Sequence, residues 1–373
     1  MAVTTQPESP STLNRNVLLQ SWARMAVYDQ TAGHLKRSFI QRRRWVILLT
    51  LISTIASIAV AIMGQQQIAV LLAIVSILLP IIASYLMNDI VKFTGTTSWI
   101  KYRYIAEMMR MHIYLYRMRA DVYAEGRPEE EMDDLLVENL NKIRESVKWD
   151  EVIPASISEP HDKTEIEGYI KQANSYTPDD DGLKELSVQE YIDWRLENQR
   201  KWYENNIQND FNSMKFYVRL AQLSLLLGAA FSTLGGVGNI EFVAIVAITN
   251  AVSVGLTSWS NVGMFGKTYS LFQITEQQLS DQRLKWLALE DNAAMKDPAY
   301  RQTQIRQLAK QVEAVLLWER QEWYEMALQA QTVTDKMILG DLTRLTQRAE
   351  ETIRSSPGAV TNASAGRRTP SQE

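Results

Sequence analysis

Cysteine is absent from the 373 residues, which excludes disulfides, thiolate zinc sites and a thiol nucleophile. Histidine is scarce. Only His34, His112 and His161 occur, on separate segments and with no partner at ligand spacing, so surface or interfacial places are expected for them. No metal or cofactor is therefore expected, and no enzymatic activity. The segment Gly263-Met264-Phe265-Gly266-Lys267-Thr268 ends as a phosphate-binding loop does. The Walker pattern, however, needs glycine where Asn261 stands, and a preceding strand. The segment reads instead as a flexible exit from an apolar helix. Strand signals are almost missing, so the fold class is all-α. A net charge of −4 lacks the basic excess that a nucleic-acid partner requires. The first forty residues hold no short apolar stretch ahead of a small-residue cleavage site, so no secretory signal peptide is expected.

The most informative absence is local. From Trp45 to Asn88 there is no charged residue, although 22% of the chain is charged. Crossing a hydrocarbon core of about 30 Å takes roughly 20 helical residues. Trp45–Met63 supplies one such segment and Ile68–Met87 another, separated by Gly64-Gln65-Gln66-Gln67. A second apolar block follows the same plan: Leu220–Leu234, a break at Gly235-Gly236-Val237-Gly238-Asn239, then Phe242–Trp259 without charge. Four transmembrane helices in two hairpins are expected, making this an integral membrane protein whose first partner is the lipid bilayer.

Orientation follows from the basic flanks. Lys36, Arg37, Arg42, Arg43 and Arg44 precede the first hairpin, and Lys92, Lys101 and Arg103 follow it. Lys215 and Arg219 precede the second and Lys267 follows it, while neither turn carries Lys or Arg. Both turns are expected outside and both termini in the cytoplasm, in the inner (cytoplasmic) membrane. Arg42, Arg43, Arg44 and Arg219 act as topology anchors. Trp45, Tyr85, Tyr217 and Trp259 fall near the inner ends, where amphipathic rings settle.

The halves correspond at an offset of about 175 residues, Tyr28 with Tyr203, Arg44 with Arg219 and Gly64 with Asn239. The plan is an internal tandem duplication: a disordered tail over 1–14, a first two-transmembrane repeat over 15–150, a linker over 151–186, a second repeat over 187–354, and a disordered tail over 355–373. Each repeat reads as a charged amphipathic helix, a hairpin, a long exit helix and a further cytoplasmic helix. Ser187 with Glu190 forms a capping box, while Pro128 and Pro298 each open a helix.

Polar residues inside the apolar segments are the candidate functional positions. Asn250, Ser253, Thr257 and Asn261 recur at helical spacing on the fourth helix. Ser53 and Ser57 do so on the first, and Gly228, Ser232 and Gly236 form a small-xxx-small series on the third. Such residues let helices pack closely and bond across an interface; in an oligomer they can also line a polar conduit. No ionisable residue lies within any helix centre, which argues against a proton-coupled transporter. Neither turn is long enough to form a carbonyl-lined filter.

Three clusters carry a family resemblance. They are Tyr191, Trp194, Arg195 and Trp202-Tyr203 before the second hairpin; Trp99-Ile100-Lys101-Tyr102-Arg103 with Ala106-Glu107 after the first; and Val312-Glu313-Ala314-Val315-Leu316 with Glu319 and Trp323 near the end. In their order around a hairpin they resemble the SLATT family, two-transmembrane domains associated with nucleotide-sensing proteins in bacterial conflict systems. After the second hairpin Phe265-Gly266-Lys267-Thr268-Tyr269 departs from the Trp-x-x-Tyr-Arg pattern. The resemblance implies a membrane effector that forms pores or perturbs membranes when triggered. The expected function is an oligomeric channel or pore-type effector gated through its cytoplasmic helices by a cytoplasmic protein or small molecule. A non-conducting scaffold or signalling adaptor is the alternative.

Overall fold

The computed structural model describes residues 13–63, 67–93, 96–124, 126–146, 162–173, 180–235, 240–263 and 265–355. Every regular element among them is helical. The chain divides into two compact units, residues 1–324 and 325–373; the described part of the second is the C-terminal stretch of α10 (Pro298–Ser355). The turn residues Gly64, Gln66, Gly236 and Asn239, the segment 151–160 with His161, and both predicted tails but for Leu13, Asn14 and Ser355 lie outside the described residues.

α1 (Arg15–Met63) starts where the Asn14 side chain accepts from the backbone N–H groups of Asn16 and Val17, at 3.2 and 3.4 Å, an N-cap. It does not stop at the arginine cluster. No proline or glycine stands at the junction, so the amphipathic helix and the first apolar segment, expected as separate elements, form one rod of about 73 Å. α2 (Gln67–Phe93) packs against α1, and α3 (Thr96–Arg117) packs against α1's polar part.

The second half repeats this order. The Ser187–Glu190 capping box opens α6 (Val188–Tyr191). A π turn over Ile192–Leu196 leads directly into α7 (Glu197–Gly235). α8 (Ile240–Gly263) packs on α7, and α9 (Phe265–Glu290) also lies along α7. Gly266-Lys267-Thr268 is thus the first turn of a helix rather than a flexible exit.

One apolar core joins the polar ends of these rods. Trp22 and Met25 of α1, Ile105 and Met109 of α3, Leu279 of α9 and Val312 of α10 belong to it, with Leu136 and Leu140 of α4 (Glu129–Ser146). The expected linker also contributes. It contains α5 (Lys163–Ala173), whose Ile166 and Ile170 are buried. Asp180 pairs with Arg117 with neither side chain exposed. Trp22 Nε1 donates to the carbonyl of Gly182 at 2.9 Å, and at Gly182, where φ is 73°, a Cβ would meet Ile170 at 2.5 Å. Residues 162–173 and 180–186 are therefore part of the fold, because their few apolar side chains reach a core already formed by α1 and α3.

Candidate functional site

Among the described residues, three helices are long and apolar enough to cross a bilayer: Arg15–Val60, Gln67–Asn88 and Val188–Thr233, the last running from α6 into α7. The apolar helices are arranged in the order α2, α1, α8, α7. α1 contacts both α2 and α8, and α8 contacts α7 as well. No comparable contact joins α2 to α7 or α8 among the described residues. The result is an open row. Its outer members expose large apolar side chains, Ile74, Ile77 and Ile81 on α2 and Leu223, Leu226 and Leu227 on α7.

Within each pair a serine hydroxyl bonds across to a backbone carbonyl. Pro80 lies inside α2 and has no N–H, so the carbonyl of Ser76, four residues earlier, loses its helical donor. Ser53 Oγ on α1 donates to that carbonyl at 2.9 Å. In hydrocarbon a freed backbone group must find such a partner. In the second pair Ser224 Oγ donates to Thr249 O at 2.7 Å, and Ser253 Oγ to Ala221 O at 3.3 Å. Gly228 lies directly against α8: a Cβ there would lie 2.6 Å from Thr249 Oγ1 and 3.6 Å from Asn250 Oδ1.

The structure divides the predicted polar series. Ser53 and Ser253 are buried between helices, and Gly228 is buried against α8. Asn250 and Thr257 are exposed, as are Ser57 and Ser232. Ser57 and Thr257 return their hydroxyls to the carbonyls of Ser53 and Ser253, four residues back in each case. The side chain of Asn261 and the whole of Gly236 lie outside the described residues. Pro80, Ser76, Ser224 and Thr249 were not singled out from the sequence; a proline inside an apolar run was the available signal.

At the junction with the polar core, the basic anchors meet aromatic rings. Arg44 lies over Trp259 at 5.2 Å, joining α1 to α8, and Arg43 over Phe39 at 5.8 Å. Arg219 is exposed, and Arg42 is half-buried. Lys36 lies 5.0 Å over Trp99, which meets Trp323 edge-on at 4.8 Å. Thr268 donates to Asp210 at 2.7 Å.

Beneath this runs a ladder of buried charge. Arg195, in the π turn, donates from Nε and Nη2 to the two carboxylate oxygens of Glu313, each at 2.8 Å. The Tyr191 hydroxyl donates to the same Glu313 Oε1 at 3.1 Å, and the Tyr114 ring lies 4.4 Å from the guanidinium. The wider π turn, with its i→i+5 bonding, aims two residues four apart at one carboxylate. Burial alone would lower the Arg195 pKa, but the charge and hydrogen bonds of Glu313 override it and leave it raised. Glu107 is also desolvated, yet Arg110, Arg103 and Arg320 hold its carboxyl well below the usual range. Glu319 is the opposite case. Burial pushes its carboxyl up, despite Arg320 and the Tyr203 hydroxyl, and its Oε1 has no hydrogen-bond partner among the described residues.

No group of acidic or histidine side chains among the described residues can hold a metal. His112 bonds the Tyr123 hydroxyl at 2.9 Å and is half-buried rather than superficial, while His34 is exposed.

Residues 191–323 match the SMODS and SLOG-associating 2TM effector domain 1. The chain carries a SLATT-type domain. That match begins at Tyr191 and contains Arg195, Glu313 and Glu319, so the charge ladder falls largely within the SLATT domain. Residues 23–131 match a second family, described as a protein of unknown function, DUF4231. Neither a curated protein nor a solved structure matches the chain. The SLATT domain and the apolar helices make this a membrane-associated protein, and the domain's description points to an effector role.

Proposed function

We propose that the protein is an oligomeric membrane channel or pore-type effector, with four spans in two hairpins and a cytoplasmic core that gates them. The observation that carries this reading is the open row α2–α1–α8–α7. A row encloses no lumen, so a water path requires several copies. α8 counts as the fourth span because Phe242–Trp259 is free of charge and α8 lies between α1 and α7. The repeated order of contacts, α1 with α2 and α3, then α7 with α8 and α9, supports tandem two-transmembrane repeats. The basic flanks support outward turns and cytoplasmic termini in the inner membrane. α1 and the α6–α7 rod run unbroken from the core into the apolar layer, giving a rigid route for a trigger bound below. That trigger is a cytoplasmic protein or small molecule, and the role needs no enzymatic step, cofactor or nucleic acid.

The scaffold or adaptor reading draws support from Ser53 and Ser253, whose hydroxyls are spent on packing. Ion flux in liposomes separates the two. Wild type should conduct once triggered, and Asn250→Leu should reduce flux by weakening the assembly that a water path requires. A wild type silent under every trigger favours the scaffold.

A further inference from the structure

The free side of α8 differs from the other membrane-facing surfaces. Ala247, Asn250, Val254 and Thr257 are all exposed, at alternating spacings of three and four, whereas Ser253 turns into α7. That periodicity is the seam of a helix that packs against another helix. Ala, Val and Thr also permit close approach in a bilayer, where small residues govern helix association. The outward faces of α2 and α7 carry isoleucine and leucine, suited to lipid chains.

Asn250 makes the seam specific. It lies about 15 Å from the start of a helix of about 36 Å, near mid-membrane if α8 spans. The neighbouring Thr257 satisfies its hydroxyl within its own helix. The Asn250 carboxamide makes no hydrogen bond among the described residues, although its Oδ1 leans toward Gly228. Hydrocarbon offers neither donor nor acceptor at that depth, so an unpaired amide there is strongly disfavoured. Its partner must present both a donor and an acceptor at the same level. A second Asn250 does so by symmetry, because a carboxamide is complementary to itself.

We infer that the Ala247–Asn250–Val254–Thr257 face of α8 is the contact between copies of this chain, with Asn250 side chains hydrogen-bonded across it. The inference rests on the reading of α8 as a membrane span and names the surface through which the proposed oligomer forms.

The chain contains no cysteine, so each introduced thiol reports one position. Ala247→Cys and Val254→Cys in native membranes should form disulfide-linked dimers under mild oxidation. Val252→Cys, on the other side of α8, and Ile77→Cys, on the outer face of α2, should remain monomeric. Adding Asn250→Leu to Val254→Cys should cut cross-linking by about threefold, and Asn250→Gln should preserve it. Equal cross-linking at 252 or 77, or none at 247 and 254, overturns the seam. Liposome flux is scored separately. Cross-linking without flux leaves the seam intact and removes the channel; flux without cross-linking at these positions does the reverse.

Discussion

The bond from Ser53 to the Ser76 carbonyl should depend on Pro80. In an ordinary helix the residue-80 N–H would occupy that carbonyl; proline cannot supply it, and Ser53 Oγ stands in at 2.9 Å. Ser53→Ala then leaves an acceptor without a donor between two apolar helices. Interhelical hydrogen bonds in membranes average about 0.6 kcal/mol and reach about 1.7. A buried orphaned carbonyl costs about 1–3 kcal/mol. A loss of about 1–2 kcal/mol is expected for Ser53→Ala. Replacing Pro80 by Ala restores the helical donor, so the same serine change in a Pro80→Ala background should cost only about 0.5 kcal/mol, a positive coupling of about 1. Equilibrium unfolding in mixed detergent micelles measures all four corners of the cycle. Equal costs of Ser53→Ala in both backgrounds would refute the reasoning, since the hydroxyl would then not be answering the missing N–H.

Two predictions concern the polar core. Glu313→Ala, which strands the buried Arg195, should destabilise by about 3–5 kcal/mol, whereas Arg195→Met with Glu313→Leu should recover most of that loss; thermal unfolding of both variants checks this. Glu319 titrates in the opposite sense from an ordinary salt-bridged carboxylate. Its folded pKa is raised, so its contribution is fully present below the usual carboxylate value and is lost as pH rises through the folded value. Wild type should therefore lose stability relative to Glu319→Gln as pH goes from acid toward neutral. A constant difference between the two proteins across that range would contradict the assignment.

The large elements were legible because their signals are long. Forty-four residues without charge, from Trp45 to Asn88, leave few alternatives to apolar helices. Ser187 and Glu190 mark a helix start by residue type alone, and the structure has the capping box there. Continuity was harder to read. Charge falls to zero at Trp45, which looks like a boundary, yet helix propagation responds to backbone breakers, and none stands between Lys36 and Met63. Within the expected linker over 151–186, Ile166, Ile170, Leu183 and Leu186 are buried among the described residues, at a spacing too sparse for a periodic signal beside Pro178 and the run of aspartates. Their burial depends on a surface built by distant residues. The same limit applies to the polar series. Spacing places Asn250, Ser253 and Thr257 near one another, but the position of α7 decides which of them is enclosed, and that is tertiary information. Arg195 and Glu313 were visible as a family pattern; their pairing across 118 positions was not.

The central claim is that both apolar pairs enter the membrane from the same side as the charged core. Single-cysteine labelling in intact cells with a membrane-impermeant maleimide tests it most directly, since the native chain offers no competing thiol. Gln66→Cys and Asn239→Cys should label from outside, while cysteines at Asn292 and at either terminus should react only after the membrane is permeabilised. Labelling of Asn292→Cys or a terminus in sealed cells, or protection of Asn239→Cys, would contradict the account.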